Sequence, residues 1–208
     1  WSPDDTLIAY TQIDESPVAI AERIDFSTEG TKTIRQRYPF AGTDNVTIRL
    51  GVGRPSGGRT KWVDLGDNPD IYVASAHWSY DSRTLYVVRL SRDQKTLDML
   101  AVDPRTGASQ IIFTEKSKTW INVQRGFRAL PDGGFLWQSE RDGFNHIYRY
   151  DAEGNSTQLT QGKWPVGDVE CIDTKDEEVL FTGWQETATQ KHLFRVSLNG
   201  GETEQLTT

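Results

Sequence analysis

Four stretches of this chain share one layout, and their recurrence limits the fold more than any other feature. They are Trp1-Ser-Pro-Asp-Asp-Thr-Leu-Ile-Ala-Tyr10, Trp78-Ser-Tyr-Asp-Ser-Arg-Thr-Leu-Tyr-Val87, Ala129-Leu-Pro-Asp-Gly-Gly-Phe-Leu-Trp-Gln138 and Ile172-Asp-Thr-Lys-Asp-Glu-Glu-Val-Leu-Phe181. Each has an apolar residue, a polar turn, then a strand of aliphatic and aromatic residues. A second block follows three of them: Leu97-Asp-Met-Leu-Ala-Val-Asp103, His146-Ile-Tyr-Arg-Tyr-Asp151 and His192-Leu-Phe-Arg-Val-Ser197. Each of these runs into a Gly-containing turn, at Gly107, Gly154 or Gly200, where positive φ is tolerated and a hairpin closes. Alternating apolar and polar positions predict strands whose faces pack between neighbouring sheets. Units of roughly 40–50 residues, each holding several short strands, predict a β-propeller. One blade cannot bury both its faces alone, so the units cohere only as a stacked array.

The predicted fold is therefore all-β: about four blades of four-stranded antiparallel sheet, with units starting near 1, 78, 129 and 172. Residues 1–208 form one partial propeller domain within a larger propeller. The first unit is interrupted. Its strand is expected to end near Tyr10, and the next good strand is Val46-Thr-Ile-Arg-Leu-Gly-Val52. The insertion 11–45 between them is longer than a hairpin needs, and connections of that length are often functional. Trp1 stands inside a repeat motif, with no initiating Met and no signal peptide before it, so the chain is read as a piece of a longer protein.

Composition narrows the function classes. Seven Trp, seven Tyr and eight Phe supply bulk for packing between blades. No run approaches the ~18 apolar residues of a membrane-spanning helix. A net charge of −7 with dispersed Lys and Arg argues against non-specific nucleic-acid binding. The single Cys171 excludes an internal disulfide and any cysteine metal cluster. It is expected to be a small core residue.

The residues show no catalytic constellation, and neither a metal nor a cofactor is expected. The nucleophile elbow G-x-S-x-G is missing; Arg54-Pro-Ser-Gly-Gly58 has its composition without its spacing. His77, His146 and His192 have no metal-binding spacing. His146 and His192 share one repeat position and are read as structural, as is His77 before the Trp78 motif. Asp176-Glu-Glu178 reads as a solvated turn, whereas Asp14-Glu15 lies in the insertion, where paired acids could hold a cation or an amine. The sequons Asn45-Val-Thr47 and Asn155-Ser-Thr157 are too short to be informative. One stretch breaks the repeat: Trp120-Ile-Asn-Val-Gln-Arg-Gly-Phe-Arg-Ala129 sets Arg125, Phe127 and Arg128 around Gly126. An arginine beside an aromatic ring is a common way to hold a carboxylate or a peptide carbonyl.

Several blocks together resemble a known family. They are Trp1-Ser-Pro-Asp4, Ile13-Asp-Glu-Ser-Pro-Val18, Tyr38-Pro-Phe-Ala-Gly-Thr-Asp-Asn45, Trp120-Ile-Asn-Val123 and Ser139-Glu-Arg-Asp-Gly-Phe-Asn-His-Ile-Tyr148. The chain is similar, over essentially its whole length, to the propeller domain of bacterial dipeptidyl peptidase IV-like enzymes of the prolyl oligopeptidase group. The resemblance implies an eight-bladed propeller capping an α/β-hydrolase domain of the same parent chain. It implies a serine exopeptidase that removes X-Pro or X-Ala dipeptides from peptide N-termini. The catalytic triad would lie in the hydrolase domain, so no catalytic residue is expected here. The glutamate pair that holds the substrate amine would precede residue 1. Phe127 and Arg128 match the family's Phe-Arg or Leu-Arg at the substrate cavity, with Gly126 where acidic residues are common. The implied location is periplasmic or otherwise extracytoplasmic. Two alternatives stand beside this reading: a protein-binding propeller without peptidase activity, and the propeller of an oligopeptidase or acylaminoacyl peptidase. Open strand edges and an uncovered blade face also predict a homo-oligomer.

Overall fold

The computed structural model describes residues 1–208. Strand β1 (Ile8–Asp14) is followed by β2 (Ile20–Ser27), β3 (Gly30–Arg37), β4 (Thr47–Gly53) and β5 (Lys61–Trp62). The first sheet has the order β1-β4-β5, and β2 and β3 pair as a separate hairpin. Three four-stranded meanders follow. The second sheet contains β6 (Ile71–Trp78), β7 (Leu85–Ser91), β8 (Thr96–Val102) and β9 (Ser109–Lys116). The third contains β10 (Arg128–Ala129), β11 (Phe135–Ser139), β12 (His146–Tyr150) and β13 (Ser156–Gln158). The fourth contains β14 (Val166–Asp173), β15 (Glu178–Gly183), β16 (His192–Ser197) and β17 (Glu204–Gln205). All pairings are antiparallel and the chain has no helix, as an all-β propeller requires.

The repeated motif makes the turn between a sheet's first and second strands. In the second sheet, Ser79 Oγ donates to Asp81 Oδ1 (2.7 Å) and accepts from Thr84 N (3.0 Å), while Ser82 takes φ 63°. The first copy repeats this: Ser2 Oγ donates to Asp4 Oδ1 (2.6 Å) and accepts from Leu7 N (2.9 Å), and Asp5 takes φ 57°. The hydroxyls, first among several hydrogen bonds, hold the Asp4 and Asp81 carboxyls below the usual range. Trp1 thus precedes β1 as Trp78 precedes β7. By this correspondence β1, β4 and β5 take the second, third and fourth places of a blade.

The insertion is more ordered than its sequence indicates. β1 runs past Tyr10 to Asp14, because β4 offers partners as far as Asp14↔Thr47. The hairpin of β2 and β3 then closes at Gly30, with φ 126°. Arg37 ties its base by donating to the Val18 carbonyl at 2.6 Å. Beyond that anchor the hairpin is exposed, Phe26 to 77 % and Ile24 to 60 %.

The core is divided among the sheet interfaces. Leu50 and Val52 meet Leu85, Val87, Leu100 and Val102 between the first and second sheets. Val88, Leu97 and Met99 meet Phe135, Trp137 and Tyr150 between the second and third. Leu136 and Ile147 meet Val179, Phe181 and Phe194 between the third and fourth. Adjacent residues point to opposite faces, so Val87 and Val88 serve two different interfaces. That is why β7 is apolar almost throughout and β11 is buried at every position, whereas burial alternates along β15. Cys171 corrects an expectation: it is exposed, not in the core. A register shift between Val169 and Cys171 sets it opposite Leu180, on the face turned away from Val179 and Phe181.

Candidate functional site

The loop between β9 and β10 returns the chain to the edge of the third sheet. Gly126 passes directly over the side chain of Gln138, and a Cβ there would collide with its amide. Gln138 is itself buried and donates from Nε2 to the Gly167 carbonyl (2.7 Å), so it has no room to retreat. This close approach is what the glycine permits.

Phe127 then turns into the interface between the second and third sheets. Only 6 % of it is exposed. Its ring stacks on His77 (centroids 4.4 Å apart, 15° between planes) and on Phe135 (5.2 Å, 21°). Arg128 points the other way and is exposed. Its Nη1 donates to the carbonyls of Phe127 (2.9 Å) and Arg125 (3.2 Å), and its Nη2 to that of Val169 on β14 (2.8 Å). A guanidinium has five N–H donors. Three are engaged with main chain and two remain for a ligand. First strands of three successive sheets thus meet here, through His77 of β6, Arg128 of β10 and Val169 of β14.

His77 lies at the end of β6, just before the Trp78 motif, and packs across the interface to the next sheet. Burial first, and then the Arg128 charge, lower its pKa, so the neutral ring is the one that stacks on Phe127. No local pattern marked this residue, because its partner lies in the next blade.

His146 and His192 are structural equivalents. His146 is fully buried. Its Nε2 faces the Gly162 carbonyl (2.9 Å), which can only accept, so that nitrogen carries the hydrogen. Its Nδ1 then accepts from Thr160 Oγ1 (3.0 Å), which in turn accepts from Ile147 N. His192 repeats the arrangement with Thr207 Oγ1 (3.3 Å), which accepts from Leu193 N. The acidic pairs stand apart from Arg128. Asp14 accepts from Ser16 N (2.8 Å), and that bond leads in holding its carboxyl low. Glu178 pairs with Arg195 (3.4 Å) beside its turn.

Sheets stacked face to face, with first strands gathered at a common edge, make this chain an arc of a β-propeller. The family model described as "Dipeptidyl peptidase IV (DPP IV) N-terminal region" matches residues 1–208. The chain belongs to that family. Among curated relatives, dipeptidyl peptidase 4 of Sus scrofa is 26% identical over 227 residues, covering 96% of this chain and 29% of its own. A probable dipeptidyl-aminopeptidase B of Aspergillus clavatus is 23% identical over 237 residues, covering 100% of this chain and 26% of its own. Among solved structures, a putative dipeptidyl aminopeptidase IV from Bacteroides ovatus superposes with TM-score 0.86 at 26% identity, over 98% of this chain and 32% of that one. Porphyromonas gingivalis dipeptidyl peptidase 4 superposes with TM-score 0.87 at 25% identity, over 99% of this chain and 29% of that one. The chain therefore spans about a quarter to a third of the length of these relatives.

Proposed function

We propose that residues 1–208 are the non-catalytic propeller portion of a serine exopeptidase that removes X-Pro or X-Ala dipeptides from peptide N-termini. In this reading the catalytic triad belongs to an α/β-hydrolase domain of the same parent chain, and the propeller narrows access and positions the substrate. The observation that carries the proposal is the Arg128 guanidinium, held by two carbonyls of its own loop and by the Val169 carbonyl of the next sheet, with two N–H donors left over. Those donors would take a substrate carbonyl. Phe127, its ring buried between His77 and Phe135, would act on the substrate only through the height and direction it gives the arginine. The contribution is orientation rather than bond chemistry.

The test uses the full-length protein and an X-Pro chromogenic dipeptide. Arg128→Leu should lower kcat/KM by about tenfold or more, the scale of one lost charge-assisted hydrogen bond, at temperatures where a melt shows the variant still folded. Residues 1–208 alone should hydrolyse nothing. A full-length protein inert on X-Pro substrates would defeat the reading, and so would an Arg128→Leu enzyme with unaltered kinetics.

A homo-oligomer belongs to the same proposal. The hairpin of β2 and β3 exposes Ile20, Ile24 and Phe26, and large apolar side chains left in water favour association. Light scattering on the full-length protein should give more than the monomer mass; a clean monomer at high concentration would count against it.

A further inference from the structure

Four turns of the first two sheets open on one cavity of about 810 Å³. The first sheet contributes Asp4 from the turn before β1, and Arg54 and Ser56 from the loop between β4 and β5. The second sheet contributes Arg83 from the turn between β6 and β7, and Arg105 from the turn between β8 and β9. The cavity shares no residue with the Phe127–Arg128 site. Three guanidinium groups on one wall are notable in a chain of net charge −7. Long-range attraction cannot gather an anion here, so recognition has to come from local contacts.

The hydrogen bonds show what the wall offers. Asp81 and Asp103 each sit two residues before an arginine and hold it in the same way. Asp81 accepts from Arg83 N (3.1 Å) and lies 3.6 Å from its Nε. Asp103 accepts from Arg105 N (2.9 Å) and from its Nε (3.2 Å). Both arginines are thus steadied from the turn side while keeping further N–H donors. Arg54 has no ion pair or side-chain hydrogen bond in the chain, and its turn is closed behind it by Gly57 N donating to its own carbonyl (3.0 Å). The acceptors are already occupied: Asp4 Oδ1 takes hydrogen bonds from Ser2 Oγ, Thr6 N and Thr6 Oγ1. Ser82 Oγ accepts from Asp4 N (3.1 Å), which frees its hydroxyl hydrogen to donate.

We propose that Arg54, Arg83 and Arg105, with the hydroxyls of Ser56 and Ser82, bind a phosphoryl anion. Donors from separate turns around one cavity suit a tetrahedral group with three or more oxygens and at least two charges; a carboxylate presents only two oxygens in a plane. The lining has one hydrophobic residue, Leu7, and no aromatic ring on which a nucleobase could stack. The ligand is a compact polar phosphate, either free or at the head of a lipid, and the site is independent of the peptidase reading.

The experiment is calorimetric titration of the full-length protein with pyrophosphate at low salt, beside co-sedimentation with vesicles containing phosphatidic acid, whose headgroup is a phosphomonoester, and with phosphatidylcholine vesicles. Saturable pyrophosphate binding with Kd below about 1 mM is expected. Each of Arg54→Gln, Arg83→Gln and Arg105→Gln should weaken it about tenfold, and Arg23→Gln on the exposed hairpin should not. Added salt should weaken it further. Arginine-dependent binding to the phosphatidic acid vesicles, without pyrophosphate binding, would identify the ligand as a lipid headgroup. Absence of both, or binding that survives all three substitutions, overturns the site. Circular dichroism melts of the variants, whose changes lie in surface turns, separate lost binding from lost folding.

Discussion

Phe135→Ala should destabilise the protein by about 4 kcal/mol, one of the larger costs of a single aromatic truncation. Phe135 is 1 % exposed and lies at the centre of the interface between the second and third sheets. Its ring is parallel to Tyr150 (centroids 4.9 Å, 6°), stacks on Phe127 (5.2 Å, 21°) and is tilted against Tyr86 (4.8 Å, 50°). Alanine forfeits the transfer of the ring from water and all three contacts. It also leaves a cavity that two sheets, each held by its own main-chain ladder, cannot close. Equilibrium urea unfolding measures the effect as a lower midpoint with an unchanged slope. A cost under about 1 kcal/mol would mean that the sheets do not meet through this stack. Phe127 would also lose the ring it rests on, so catalysis should fall with stability if Arg128 positions substrate.

Gly107→Ala should cost about 2–4 kcal/mol, through a backbone conformation and a collision together. Gly107 takes φ 86° in the turn between β8 and β9. A Cβ there would run into the carbonyl of Trp62 in the first sheet, a backbone atom with no rotamer to escape into. The Gly107 carbonyl accepts from Asp64 N (2.8 Å), so this turn fastens the second sheet to the first. Gly200 supplies the control. Its φ is 83°, nearly the same, but nothing lies within 4 Å of the position its Cβ would take. Gly200→Ala should therefore cost only about 1 kcal/mol, the conformational part alone. Equal costs at the two positions would show that the contact with Trp62 is not formed.

Sequence alone determined the repeated strands outside the insertion, their turns and the stacking of the sheets. The repeated Ser-x-Asp turn of Ser2 and Ser79 is a local device whose hydrogen bonds span five residues or fewer, so it reads directly from the chain. His146 and His192 each start the third strand of their sheet and bond a threonine, Thr160 or Thr207, two residues past its fourth, and the pair recurs at the same repeat position. Near-continuous apolarity in β7 announces two buried faces. The hairpin of β2 and β3 was not visible, because its exposed residues carry no two-faced pattern and its order comes from main-chain pairing. Tertiary structure alone decided that Cys171 faces outward, because one register shift moved it off the core face. Only tertiary structure set His77 against Phe127, Arg128 against the Val169 carbonyl, and Arg54, Arg83 and Arg105 around one cavity. The physical reason is common to all of these. Periodicity specifies which face of a strand is buried and where it turns, and those are near-neighbour properties of the chain. Which side chains meet across a blade interface depends on the register and twist of separate sheets, which no local pattern encodes.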